Sequence, residues 1–121
     1  MNENTSVANT NKQTNKSILH DIDKILYCEA DGSYTRIIMS SGKSELLAKR
    51  LCNIEDYFKH NKFFRCHRSY LVNIDQIKEI KLNRQMCLIM YNDHEIQVSC
   101  RKKTMFFNYI KKYYLIFDYK S

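Results

Sequence analysis

The sequence predicts a mostly β fold of small antiparallel sheets with one or two short helices. Short runs of β-branched and aromatic residues recur along the chain, and turn residues such as Asp, Asn, Ser and Gly separate them. The apolar spacing changes to a helical period in two segments. The chain has 121 residues, which is enough for one domain with a modest core.

The first part of the chain predicts a meander of three antiparallel strands. The strands cover Lys24 to Glu29, Tyr34 to Met39 and Glu45 to Ala48. Asp31-Gly32 and Ser41-Gly42 supply the two turns. Because each strand follows its neighbour after a short turn, we expect neighbours in sequence to be neighbours in the sheet.

A helical period follows from Leu51 to Lys59. The apolar residues of one helical face are Leu51, Ile54, Tyr57 and Phe58. Arg50 is a poor N-cap residue, so the first residue of this helix is weakly specified. We expect the helix to pack on the sheet and to carry no chemistry of its own.

The stretch from Phe63 to Asn73 is the centre of the sequence. Apolar residues lie on both sides of a polar middle, which predicts a strand, a tight bend and a second strand. The polar and cationic residues of the middle are Arg65, His67, Arg68 and Ser69. With its flanks buried, this bend would present cations and hydrogen-bond donors to an anionic partner from a rigid sheet.

Two residues of this stretch are expected to support the bend. His67 has no acid or serine partner that would make it catalytic, and the adjacent Cys66 is poorly spaced for a shared zinc ion. We therefore expect His67 to order the bend through a backbone hydrogen bond. Asn73 is expected to satisfy backbone groups where the second strand ends.

The remainder of the chain predicts a second meander and a second helix. The strands cover 77–82, with a bulge near Lys78-Glu79, then 86–91 and 94–99. The helix covers 101–114, and its apolar stripe contains Met105, Phe106, Tyr109, Ile110 and Tyr113.

The beginning of the second helix is unusually basic. Ser99 is its expected N-cap, and Arg101, Lys102 and Lys103 occupy its first turn. The helix dipole disfavours cations at this position, whereas a bound anion would gain from both the cations and the unpaired backbone N–H groups. The segment therefore indicates an anion site, with a solvated basic turn as the alternative.

Composition narrows the class of partner and the location. A formal net charge of +7 favours polyanions, with nucleic acid first and an acidic membrane surface second. Five cysteines without a C-x-x-C pair indicate reduced thiols, most of them in the core, in a cytoplasmic protein. Residues 1–17 are rich in Asn, Thr and Lys and predict a disordered tail, which leaves 18–121 as the folded domain.

The central stretch is similar to the central motif of LytTR DNA-binding domains, Phe-x-Arg-x-His-Arg-Ser-Tyr-Leu-Val-Asn. Three other segments resemble family elements in the same order: 25–35 its opening hairpin, 77–80 its next strand and 96–101 its last reading loop. The resemblance implies an elongated arrangement of small antiparallel sheets. It also implies a transcription regulator that inserts loops into successive major grooves of promoter DNA, bends it, and binds paired repeats as two copies.

The resemblance also implies roles for individual residues. It implies that Arg68 and Arg101 contact bases, and that a further base contact is made by Thr35 or Tyr34. Charge and position assign phosphate contacts to Arg36, Ser99, Lys102 and Lys103. Support of the reading bend falls to His67, Ser69 and Asn73. No catalytic residue, metal, cofactor or small-molecule substrate is implied.

A departure from the family pattern and three rival functions stand beside this interpretation. Many family members have an arginine directly after the serine at position 99, whereas here Cys100 intervenes before Arg101. An RNA-binding module would share the charge but needs aromatic residues stacked on a sheet face. A basic protein–protein adaptor would share the charge without contacting DNA. An enzyme is the weakest alternative, since no paired acid–base constellation is present.

Overall fold

The computed structural model of the protein describes residues 21–82 and 84–113. Within them the chain forms eight strands and two α-helices, joined in three places by a short 3-10 turn. The elements are β1 Ile25–Asp31, β2 Tyr34–Met39, β3 Ser44–Leu47, α1 Leu51–Tyr57, β4 Phe63–His67, β5 Tyr70–Asn73, β6 Ile77–Leu82, β7 Met86–Met90, β8 Glu95–Gln97 and α2 Lys103–Tyr113. The predicted mostly β class is confirmed. The predicted tail and its boundary lie outside the described residues.

The strands form two antiparallel sheets. The larger has the order β3-β2-β1-β5-β4, and the smaller has the order β6-β7-β8. Both predicted meanders are therefore present, and the irregularity expected near Lys78-Glu79 occurs between Ile77 and Glu79. The central hairpin β4–β5 joins the first meander because β5 pairs with β1, with Glu29 opposite Tyr70.

Strand β1 contributes side chains to two cores, and a bulge near its beginning shifts the alternation between them. The pairing register with β2 shifts between Ile25 and Tyr27. As a result Ile25 and Cys28 belong to one core, whereas Leu26 and Tyr27 belong to the other. All four side chains are buried, so β1 is the central strand of the domain in packing as well as in sheet order.

Each face of the larger sheet is covered. Helix α1 packs on one face, over a core that consists of Ile25, Cys28, Ile37, Leu47, Leu51, Ile54, Phe58, Phe63 and Leu71. The smaller sheet and α2 cover the opposite face. Their shared core consists of Leu26, Tyr27, Cys66, Val72, Ile74, Met86, Leu88, Met90, Ile96, Val98, Phe106 and Ile110. The larger sheet is thus held from both sides, which makes it a rigid support for the loops at its ends.

Some residues predicted on apolar helix faces are exposed. Tyr57 lies outside the α1 core, because Leu51, Ile54 and Phe58 already fill the contact with the sheet. Met105 is 51% exposed, since the buried face of α2 is set by Phe106 and Ile110. None of the helices in the described residues is both long and apolar enough to span a lipid bilayer.

The five cysteines are free thiols, as predicted, but they do not share one environment. Cys28 and Cys66 are buried and Cys87 is half-buried, whereas Cys52 and Cys100 are exposed. Cys100 is exposed because the chain leaves the sheet before it and enters an exposed 3-10 turn.

Candidate nucleic-acid interface

Three loops meet at one end of the larger sheet. They are the β1–β2 turn, the β4–β5 bend and the segment that follows β8. The N–H of Ala30 donates to the carbonyl oxygen of Ser69 at 2.9 Å, which ties the first loop to the second. The N–H of Ser99 donates to the carbonyl oxygen of Cys66 at 2.9 Å, which ties the third loop to the second. We call this part of the molecule the loop end.

The β4–β5 bend is ordered by His67. Its Nδ1 accepts a hydrogen bond from the N–H of Ser69 at 3.0 Å, and its ring meets Tyr70 edge to face with 5.8 Å between centroids. Arg68 lies between His67 and Ser69 and is exposed. Its guanidinium makes no hydrogen bond or ion pair with any residue that the structure describes. The bend therefore fixes its own backbone and leaves one arginine available to a partner.

Arg65 is turned inward, contrary to the expectation that it is one of the cations presented by the bend. Its Nε donates to the carbonyl oxygen of His67 at 3.2 Å, and one terminal nitrogen donates to that of Arg68 at 2.6 Å. The other terminal nitrogen binds Oε1 of Glu55 on α1 at 2.8 Å. Because all three nitrogens are engaged and only 19% of its side chain is exposed, Arg65 supports the bend from beneath.

Asn73 supports the hairpin at the opposite end from the bend. It is buried, its amide nitrogen donates to the carbonyl oxygen of Ile25 at 2.8 Å, and its amide oxygen accepts from the N–H of Asp75 at 3.0 Å. The first bond fastens β5 to β1, and the second caps the 3-10 turn that follows β5. The support that Asn73 gives to the bend is therefore indirect and runs through the alignment of the strands.

The β1–β2 turn presents Tyr34 but not Thr35. Gly32 has a φ of 66°, a left-handed conformation that glycine adopts without strain. Tyr34 is exposed, whereas Thr35 is 0% exposed and its hydroxyl donates to the carbonyl oxygen of Lys49 at 2.8 Å. The expected base contact by Thr35 is therefore corrected, because a side chain with no exposed surface cannot reach a base edge.

Arg36 is already paired within the domain. One terminal nitrogen lies 2.7 Å from Oδ2 of Asp31 across the hairpin. A phosphate would have to compete with this carboxylate for the guanidinium. Arg36 is thus a weaker candidate for a phosphate contact than the sequence suggested.

The segment after β8 begins with a 3-10 turn over Cys100–Lys102 and continues into α2. Ser99 occupies the N-cap position of that turn, but its hydroxyl makes no capping hydrogen bond. Arg101 is exposed, and its guanidinium has no partner among the described residues. The Lys102 ammonium lies 5.7 Å from the centroid of the Phe64 ring, and Lys103 is half-buried. The first turn of α2 contains no acidic residue, so this segment has positive charge without local compensation.

A cavity of about 460 Å³ lies at the other end of the larger sheet. Its lining includes His60, Lys62, Asp75 and Gln76, which mix both signs of charge. No group of three His, Cys, Asp or Glu side chains that could hold a metal ion occurs in the part of the chain that the structure describes. The cavity is therefore less suited to a polyanion than the loop end.

Comparison with known proteins shows the family of the chain. A family model for the LytTr DNA-binding domain matches residues 15–111. This chain belongs to the LytTR family. Among solved structures, it is similar to the LytTr DNA-binding domain of a protein described as a methyl-accepting/DNA response regulator from Bacillus cereus. The two are 27% identical with a TM-score of 0.65, and the match covers 73% of this chain and 82% of that one. No curated protein matches the chain significantly.

Membership of the family makes this chain a DNA-binding domain of the kind that regulates transcription. The resemblance found in the central motif is thereby confirmed. At the loop end, this LytTR domain exposes three of the predicted base-reading residues, namely Tyr34, Arg68 and Arg101, each on a different loop. Their contacts with bases remain predictions.

The sequence did not indicate two cations of the LytTR domain as candidate site residues. Lys49 and Arg50 follow β3, whose Leu47 pairs with Thr35 at the loop end of the sheet. The hydrogen bond from Thr35 to the carbonyl oxygen of Lys49 holds their backbone there. A Lys-Arg pair after a strand was the available signal, but only the strand pairing shows that this strand ends beside the reading loops.

Proposed function

We propose that this LytTR domain is a sequence-specific transcription regulator that reads promoter DNA with the loop end. The observation that carries the proposal is the pair of exposed arginines, Arg68 and Arg101, on two loops joined by the backbone hydrogen bond between Ser99 and Cys66. An unpaired arginine can donate a bidentate fork to O6 and N7 of guanine in the major groove. Tyr34 adds a third side chain from the neighbouring hairpin.

Phosphate contacts would set the register of these side chains on the duplex. Lys102 and Lys103 lie directly beside Arg101, and Ser99 offers a hydroxyl that caps no helix in this structure. Arg36 would bind a phosphate only after its guanidinium had released the carboxylate of Asp31. If about five phosphates are neutralised, the logarithm of the binding constant should fall with the logarithm of salt concentration with a slope of about −4 to −5.

The width of the loop end supports bending of the DNA. Five strands in the larger sheet span about 19 Å at roughly 4.8 Å per strand. Successive major grooves of straight B-DNA are about 34 Å apart. The segment after β8 lies beyond this edge, and curvature of the duplex toward the protein would bring two successive grooves within reach of the loops, at an elastic cost of order 1–6 kcal/mol.

A second copy on a paired repeat completes the proposal. One domain of this size contacts few bases, and two copies on adjacent repeats would multiply the specificity of each. The domain would act in the bacterial cytoplasm, as the output module of a response regulator or as a regulator by itself. No cofactor or small-molecule substrate enters this function.

The arrangement of aromatic residues does not favour the RNA-binding alternative. Reading of single-stranded RNA on a sheet needs aromatic side chains grouped on one exposed face. The exposed tyrosines among the residues of known burial are dispersed: Tyr34 lies in the β1–β2 hairpin, Tyr57 in α1, and Tyr91 after β7.

The deciding experiment begins with selection of a target site from a randomised duplex library. Binding of the full chain is then measured on the selected duplex, a scrambled duplex and a single-stranded RNA of the same sequence, over a range of salt. We expect preference for the selected duplex, a steep salt slope, and a position-dependent shift in gel mobility when the site is permuted along a fragment. Equal affinity for all three probes, or a slope near zero, would remove the proposal.

A further inference from the structure

The loop between β3 and α1 brings two unassigned cations to the loop end. Arg50 is exposed and Lys49 is half-buried. Neither side chain makes a hydrogen bond or an ion pair with a residue that the structure describes. Their backbone is fixed by the Thr35 hydroxyl, which donates to the carbonyl oxygen of Lys49 at 2.8 Å. The domain thus holds this loop in place without using the charges that the loop carries.

The distance between this loop and the bend is close to the width of the major groove of DNA. In the larger sheet, β3 lies three strand positions from β5, which corresponds to about 14 Å at roughly 4.8 Å per strand. The major groove of B-DNA is about 12 Å wide. With the edge of the sheet running across the groove and the β4–β5 bend near one side of it, the loop after β3 lies over the phosphate backbone of the other side.

A comparison with Arg36 shows why this loop is needed on that side of the sheet. Arg36 lies on β2, between the bend and β3, and is neutralised by Asp31 at 2.7 Å. Lys49 and Arg50 have no such partner in the described residues. Among the described residues of the loop end, they are cations without a partner on the β3 side, as Arg101 and Lys103 are on the β4 side.

We infer that the loop between β3 and α1 is a fourth DNA contact, in which Lys49 and Arg50 hold the phosphate backbone at the rim of the groove that the bend enters. This inference rests on the proposed function of the loop end. The contact is electrostatic and independent of base sequence, because lysine and arginine bind phosphate oxygens at every step of the duplex. It would fix the orientation of the domain across the groove.

The test is a double variant, Lys49→Gln with Arg50→Gln, measured against a control with the same change of charge. The control is Lys24→Gln with Lys59→Gln, since Lys24 precedes β1 and Lys59 follows α1, both away from the loop end. Circular dichroism and thermal unfolding establish first that both variants are folded. Glutamine at position 49 leaves the bond from Thr35 intact, because that bond uses the backbone.

Binding of each variant is measured by salt titration on a mixed-sequence B-DNA duplex and on the selected target duplex. We expect the Lys49/Arg50 variant to flatten the salt slope by about two units and to lose affinity by similar factors on both probes. The control should retain the slope of the wild type. If the two variants show the same slope, the fourth contact is wrong while the proposed function stands. If the wild type itself shows no salt-dependent duplex binding, both fall.

Discussion

The guanidinium of Arg65 donates a hydrogen bond of 2.6 Å to the carbonyl oxygen of Arg68. One arginine of the central motif thus positions the backbone of the other. The same guanidinium binds Glu55, so α1 is coupled to the bend on which Arg68 lies. Arg65 is in this respect a positioning residue, and its contribution to DNA binding should be visible although the residue itself is turned away from the DNA.

Replacement of Arg65 by lysine should therefore lower specificity as well as stability. A lysine has no planar fork and cannot serve two carbonyl oxygens and a carboxylate together. We expect the free energy of unfolding to fall by about 1–3 kcal/mol, because hydrogen bonds to a charged group are lost. We also expect the ratio of target to scrambled affinity to fall at a temperature where the variant is folded. Arg84→Lys, at an exposed position, is the control. An unchanged ratio would show that Arg65 serves stability alone.

Base readers and phosphate contacts should respond differently to truncation. Arg68→Ala and Arg101→Ala should each lose about 1–3 kcal/mol on the target duplex and much less on a scrambled one. Lys103→Ala should weaken both duplexes by similar factors and flatten the salt slope by about one unit. Binding isotherms on folded variants decide this. Equal losses on both duplexes for both arginine variants would assign them to positioning and leave Tyr34 as the next candidate.

Thr35→Val should destabilise the domain without changing what it reads. The substitution keeps the shape of the side chain but leaves the carbonyl oxygen of Lys49 without its donor. An unsatisfied buried acceptor costs about 1–3 kcal/mol, which urea unfolding would measure. Thr104→Val, at an exposed position of α2, should have little effect. A changed base preference with unchanged stability would restore Thr35 as a base reader.

The thiols should divide into two reactive classes. Burial raises the pKa of the Cys66 thiol to about 12 and raises that of Cys28 as well. At mildly alkaline pH we expect a disulfide reagent to modify Cys52 and Cys100 rapidly, and Cys28 and Cys66 only after unfolding. Serine replacement of Cys52 and Cys100, together with the half-buried Cys87, should abolish the fast phase. A fast phase that survives this replacement would show that the core opens readily.

The same burial gives a direction for the pH dependence of stability. An unfolded thiol ionises near pH 8.5, whereas folded Cys66 keeps its proton to about pH 12. The raised folded-state pKa contributes stability that is fully present below the unfolded pKa and is lost as pH rises between these values. Denaturant titrations at increasing pH should therefore show a falling free energy of unfolding, and Cys66→Ala should reduce the steepness of the fall.

Local features of the fold could be predicted from the sequence. The strand Tyr34–Met39 has the predicted bounds, and the bulge after Ile77 was visible in its broken alternation. These features depend on turn residues and on periods of a few residues. What could not be predicted depends on pairing between distant segments. The β1–β5 pairing, which brings the bend beside the first hairpin, leaves no mark in either strand taken alone.

The same reason explains the errors at the site. Arg65 and Arg68 both read as cations of a polar bend, and only the position of Glu55 on a separate helix distinguishes the one that is turned inward. Thr35 is buried because the chain after β3 returns to cover it. His67 could be interpreted correctly because its hydrogen-bond partner, Ser69, lies two residues away.

The direction of β1 determines how the domain can be attached to anything else. This seven-residue strand begins at the end opposite the loop end and advances by about 3.3 Å per residue, so its first residue lies roughly 20 Å from the proposed DNA surface. A fluorophore or surface linkage attached at the beginning of β1 would be on the far side from the duplex. The domain can therefore be labelled or tethered at this end of the sheet while its reading loops stay clear.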